Sequence, residues 1–269
     1  MKAQPTIATQ YPIRPAVFRA GFTLLELLVV VGIIGILASI TIPSLKGLGR
    51  ANKTAAASRQ ILDDLAVARL RAISERTTIY MVFLPPNLFN SIDNLQLYSN
   101  QERTQINRLL SGQLTSYALI AKRSVGDQPG RETPRYLTEW RPLPDGMLVA
   151  TNKFIALSKS VWSTLAATNR PFFYFSGLPF PNGESRTDFL LPGIAFNSHG
   201  QILQPAGTVA LDRDEFLMLS EGSVFVPRDA AGKPIRASVD VVETPSGNRE
   251  MVRVNWLTGR AEVLKAELP

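Results

Sequence analysis

The sequence predicts an α+β fold, with one long N-terminal helix followed by a mainly antiparallel β-sheet head. Three observations carry that prediction. An apolar run from Phe22 to Pro43 contains one carboxylate, Glu26. The residues after it keep a helical period, with Ile61, Leu65, Ala68 and Ala72 on one face. From about residue 78 the chain breaks into short β-branched and aromatic stretches, punctuated by "PDG", "PNG" and "SHG" turns.

With 269 residues, 45% of them hydrophobic and 19% charged, the chain is large enough for an anchor and one sizeable domain. The absence of cysteine excludes a disulfide framework, thiolate metal sites and a thiol nucleophile. Lys2, Arg14 and Arg19 lie in an acid-free stretch of 21 residues. Without it the 29 basic residues fall to 26 against 22 acidic ones, a net charge of +4 instead of +7. Such a balance reads as a solvated surface of mixed charge, not as a nucleic-acid footprint.

Pro5, Pro12 and Pro15 keep residues 1–21 from being helical. The run 22–43 would span roughly 33 Å as a helix, the thickness of a bilayer core. A buried soluble helix and a secretory signal are the alternatives. The run is longer than the usual signal core of about 7–15 residues, and Ser39-Ile40-Thr41 is only a weak cleavage-like match. Lys46, Arg50 and Lys53 follow the span, so basic flanks leave its orientation open. Gly32, Gly35, Ala38 and Ser39 supply small surfaces, which read equally as helix-packing sites and as ordinary membrane-helix composition. Residues 44–77 continue as an amphipathic half, carrying the helix from Phe22 to about Thr77. Gly47 and Gly49 predict a bend or local melting over residues 43–49.

In the head, strands are expected at 78–84, 116–123, 135–140, 146–150, 153–157, 171–175, 188–196, 201–203, 208–213, 215–222 and 250–264. Residues 85–116 are polar and rich in turns, with one short helical stretch, "QERTQINRLL". They read as an insertion of poor order.

Glu26 poses the chemical question. An unpaired carboxylate in hydrocarbon costs a few kcal/mol, on the order of 3, and marks a partner. If the chain were cut after Gly21, the new amine on Phe22 would lie within about one helical turn of Glu26. That amine, in the same or a neighbouring subunit, would neutralise the carboxylate, while the helix N-terminus favours its charge.

"G-FTLLE", with Gly21 before the cut and Glu26 as the fifth mature residue, resembles the processing and methylation motif of type IV prepilins and type II secretion pseudopilins. Pro43 stands where many of these proteins have a helix-kinking proline. "LAVARLRAISERTTIYMVF", "IAFNSHGQIL" and "VNWLTGRAEVL" are similar, in that order, to the GspH/FimT group of minor pseudopilins and minor pilins. The resemblance implies a leader, 1–21, removed by a prepilin peptidase, with methylation of the Phe22 amine. It further implies a transmembrane half, 22–43, an amphipathic half, 44–77, and a β-rich periplasmic head, 78–269, with the insertion at 85–116.

It also implies an inner-membrane, single-pass minor pseudopilin that enters a periplasmic filament of a type II secretion system. Its partners would be other pseudopilins or pilins, an inner-membrane assembly platform and the lipid bilayer. The alternatives are a minor pilin of a type IV pilus, serving adhesion, twitching or DNA uptake, and a membrane-tethered periplasmic binding protein. Some members of the group bind DNA through Gly-Arg-x-Arg; here Gly259-Arg260-Ala261-Glu262 replaces the second arginine with an acid. Arg249, Arg253, Arg260 and Lys265 alternate with Glu250, Glu262 and Glu267, so nucleic acid is not an expected partner.

No enzymatic role is expected. His199, the one histidine, sits in a turn sequence, and hydrolase, zincin, phosphate-loop and dinucleotide motifs are absent. The acids of "SRTD" and "LDRDE" lack a regular calcium-loop pattern, and no cofactor or metal is expected. Trp140, Trp162, Trp256 and Phe172 to Phe175 read as core, and "FYFSGLPFPNG" as an exposed apolar loop suited to a subunit contact.

Overall fold

The computed structural model describes residues 23–89, 92, 95–124, 126–128, 132–155, 170–185, 189–205, 207–209, 213–235, 239–244 and 250–264, without the side chains of 40–51. The chain divides into two compact units, residues 1–48 and 49–269. One helix, α1 (Leu24–Ser74), begins in the first and ends in the second. Of the bend or local melting expected over residues 43–49, melting is not seen, because the helical span includes Pro43 and both glycines. Among the described residues no helix is long and apolar enough to cross a membrane. The described side chains of the apolar half stop at Ser39.

Among the described residues the second unit holds two antiparallel sheets. The first has the order β3 (Arg135–Tyr136), β2 (Ser116–Ala121), β1 (Ile79–Phe83), β7 (Phe189–Phe196) and β6 (Phe173–Leu178). β4 (Arg141–Pro142) pairs with β2, and β8 (Ile202–Leu203) with β7. In the second sheet β9 (Glu215–Phe225) pairs with β5 (Met147–Val149), β10 (Asp240–Glu243) and β11 (Glu250–Val254), and β11 pairs with β12 (Ala261–Leu264).

Strand β1 is buried at all five positions, because its two faces serve two cores. Ile79, Met81 and Phe83 meet Ile61, Leu65, Ala68 and Ala72 of α1 in a cluster that also takes Leu217, Leu219, Val252 and Val254 from the second sheet. Tyr80 and Val82 face the other way, onto Leu88, Ile92, Tyr98, Ile106 and Leu110 of the insertion. Close pairing of β1 with β7 requires Gly193, where a Cβ would lie 2.1 Å from the Met81 carbonyl oxygen.

The described residues of the insertion are therefore structured, contrary to expectation. Within it, α2 (Asn100–Leu109) has a capping box. Ser99 Oγ accepts from Glu102 N at 3.3 Å, and Glu102 Oε2 accepts from Ser99 N at 2.7 Å. Arg103 Nε donates to the carbonyls of Leu95 and Tyr98, each at 2.9 Å, tying the helix to its own approach.

Other expectations are corrected locally. The strand expected at 135–140 stops after Tyr136, because Leu119 N donates to the Thr138 hydroxyl at 3.0 Å instead of to a strand carbonyl. The strand expected at 153–157 is instead a 3-10 turn over Thr151–Phe154, which drives Lys153 inward; residues 156 and 157 lie outside the described residues. Of 208–213, Val209 forms an isolated bridge with Leu203, and 210–212 are outside the described residues. β9 runs three residues beyond the expected end, and its partner β10 was not expected. The final stretch is a hairpin, β11 and β12, not one strand. The loop expected to be exposed at 173–183 is largely β6 and core: Phe175, Leu178 and Phe180 are buried.

Candidate functional site

The N-terminal candidate begins at Thr23, which caps α1. Its hydroxyl accepts from Glu26 N at 3.1 Å, and its carbonyl accepts from Leu27 N at 3.1 Å. Glu26 therefore stands in the first helical turn, where the helix dipole favours a negative charge. Sequence reasoning singled out Glu26 and missed Thr23. The Thr-x-x-Glu spacing before an apolar run was the signal that could have found it. Gly21 and Phe22 lie outside the described residues, and Pro43 is inside the continuous helix with its side chain undescribed.

Every described side chain from Thr23 to Leu37 is exposed, and Leu24 (87%), Leu28 (70%) and Ile36 (65%) show the extent. This exposed apolar surface runs from Leu24 to Leu37 and does not extend to the buried stripe further along α1. Glu26 is the one charge on that surface.

In the head, three stretches distant in sequence meet at one junction. Arg69 of α1 donates through Nε to the Thr258 carbonyl at 2.5 Å. A Cβ on Gly259 would lie 2.0 Å from the Gly200 carbonyl oxygen, and one on Gly200 would meet Arg69 and Ile73; both glycines have positive φ. Ile202 N donates to the Trp256 carbonyl at 3.0 Å. The "ARLRAI", "NSHGQI" and "LTGRAEV" stretches thus form one structural joint. His199 is exposed on its turn, with its backbone N–H donating to Asn197 Oδ1 at 2.9 Å.

Three further charged clusters among the described residues are internally paired. Arg141 Nη1 donates to both oxygens of Asp64, at 2.7 and 2.8 Å, and the Tyr117 hydroxyl donates to Asp64 at 2.5 Å. Burial, and then the neighbouring Asp64 carboxylate, push the Tyr117 phenol up. Lys153 is fully buried against Glu215 at 2.6 Å, and Arg213 is 3.7 Å from the same carboxylate. Burial lowers the Lys153 ammonium, against the opposing pull of Glu215, and takes Arg213 down to about 10. Arg253 is held by Asp214 at 2.6 Å and Glu262 at 3.2 Å. Among the described residues no group of three or more potential ligands could hold a metal ion. Trp140 and Trp256 pack at the margins of the two cores, and Trp162 lies outside the described residues.

Residues 18–42 match the family model described as the prokaryotic N-terminal methylation motif, consistent with a type IV pilin-like protein. No curated protein and no solved structure matches the chain.

Proposed function

We propose that the chain is a minor pseudopilin of a type II secretion system: a non-enzymatic filament subunit, anchored in the inner membrane with its head in the periplasm. The observation that carries this reading is the capped, uncovered apolar helix with Glu26 in its first turn, inside the methylation motif at 18–42. A prepilin peptidase would cut between Gly21 and Phe22 and methylate the Phe22 amine. The amine of one subunit would then neutralise Glu26 as helices bundle in the filament.

The outer side of the amphipathic half supports packing against neighbours, since Val67 and Leu70 are exposed there. The pairing of Arg253 with Asp214 and Glu262 argues against a phosphate-binding strand.

The test is the mass and N-terminal sequence of the full chain recovered from cells with and without the peptidase, with the extracellular protein profile of a strain lacking the chain. A mature N-methylated Phe22 and loss of specific secreted proteins support the proposal. Mature Phe22 with an unchanged profile moves the subunit to a type IV pilus. An uncut leader overturns both.

A further inference from the structure

The insertion helix α2, the β3–β4 connection and the loop after β6 enclose an open groove of about 630 Å³. Its apolar wall is formed by Tyr136, Trp140, Leu109 and Pro181. The two rings lie 6.0 Å apart at 58°, and their polar tips are already used. The Tyr136 hydroxyl donates to the Pro179 carbonyl at 2.9 Å, and Trp140 Nε1 donates to the Pro181 carbonyl at 3.0 Å. These bonds fix both side chains, the Trp140 ring also packs edge-on against Phe180 at 6.0 Å, and what the two rings offer a ligand is the part that lines the groove.

The rim adds three planar polar groups. Gln105 accepts from Asn182 Nδ2 at 2.7 Å through its carbonyl, which leaves its amide N–H groups for a ligand. Arg108 and Glu139 are exposed, one positive and one negative. Gly183 borders the groove, and a Cβ there would lie at an ordinary contact distance, 3.9 Å, from the Tyr136 ring.

Each feature narrows the ligand. An extended proline-rich peptide is recognised by aromatic-lined grooves. Here the tryptophan and tyrosine donors that would meet its carbonyls are spent on the protein's own. A nucleotide or other polyanion needs clustered cations, and the rim charges cancel. A neutral molecule with an apolar face and hydroxyl edges satisfies both conditions. The C–H bonds on one face of a sugar ring are weakly positive and suit the negative face of an aromatic ring. Its hydroxyls suit guanidinium, carboxylate and amide groups. The volume lies within the range of small-ligand sites, about 300–1,000 Å³.

We propose that this groove binds a neutral oligosaccharide, stacked on Tyr136 and Trp140 and held at its edges by Gln105, Arg108 and Glu139. The proposal does not depend on the filament reading. It is tested on the detergent-solubilised full chain, by saturation-transfer NMR and tryptophan fluorescence with cellotetraose, maltotetraose, mannotetraose and chitotetraose as probes.

Saturable binding of at least one probe is expected. Gly183→Leu, which fills the groove without removing a contact, and Trp140→Ala should each weaken it about tenfold or more. Because Trp140→Ala also removes packing, the Gly183 variant with an unchanged thermal transition is decisive. No saturable binding of any probe, binding undiminished in Gly183→Leu, or capture of a decaproline peptide alone would overturn the proposal.

Discussion

At the scale of single residues, Glu26 and Gly193 are both fixed by what surrounds them. Glu26 has its backbone N–H on the Thr23 hydroxyl and a positive helix end beside it, so the local helix gains from a carboxylate here. An alanine at position 26 removes the charge and leaves the Thr23 cap in place. On the proposed filament reading, Glu26→Ala should therefore leave cleavage after Gly21 unchanged while the protein fails to enter filaments. Fractionation of sheared filaments against membranes checks this, and efficient incorporation of the variant would sink the pairing mechanism. Gly193→Ala tests the opposite kind of constraint. Its methyl would be driven 2.1 Å from the Met81 carbonyl oxygen, in the middle of the β1–β7 pair. The expected loss is more than about 2 kcal/mol of stability, read as a lower urea midpoint.

At the scale of elements, the head was legible where one period governed a stretch and illegible where burial depended on distant partners. The stripe Ile61, Leu65, Ala68 and Ala72 could be read directly, because one helix face meets one core, and all four are fully buried. In the insertion, Leu88, Ile92, Tyr98, Ile106 and Leu110 follow no single spacing. Their common core appears only when the Tyr80 and Val82 face of β1 is present to receive them. Lys153 was equally hidden, since its inward turn needs Glu215, 62 positions away. β10 is a four-residue strand whose place comes from its partner β9 more than from its own sequence. The convergence of Arg69, Gly200 and Gly259 was visible as three ordered motifs, but not as one joint. If the insertion is a second core and not a loose loop, its interior must respond like a core. Ile106→Ala should cost about 2–4 kcal/mol, whereas Ser99→Ala, which breaks the capping box of α2, should cost about 1 kcal/mol. Hydrogen exchange of the α2 amides would show the difference, and near-zero cost for Ile106→Ala would mean that the insertion does not share the fold's cooperativity.

At the scale of the whole head, helix and sheets are held together by polar pairs set among apolar contacts. Asp64 reaches Tyr117 of β2 and Arg141 of β4, Ser58 bonds Glu250 of β11, and Arg69 bonds the turn at Thr258. Several tyrosines share in this interior, and burial raises their phenols: Tyr80 and Tyr174 to about 12, and Tyr117 and Tyr136 above the ordinary tyrosine value. In an unfolded chain each would titrate near 10. Between that value and the folded one, the unfolded chain has released protons that the folded head still holds. The stability these groups contribute is therefore present below about pH 10 and is lost as pH rises through the folded values. An alkaline titration of the full chain, followed by absorbance and near-ultraviolet circular dichroism together, reads these groups. Tyr80, Tyr117, Tyr136 and Tyr174 should ionise only together with the loss of tertiary structure. Tyr117→Phe separates burial from bonding: it removes one of these phenols and also the hydroxyl donor to Asp64, while Arg141 still holds that carboxylate. The variant should be less stable at pH 7 and lose less of its remaining stability above pH 10. If these four phenols ionise near pH 10 with the near-ultraviolet circular dichroism intact, their side chains are open to solvent and the account of the interior is wrong.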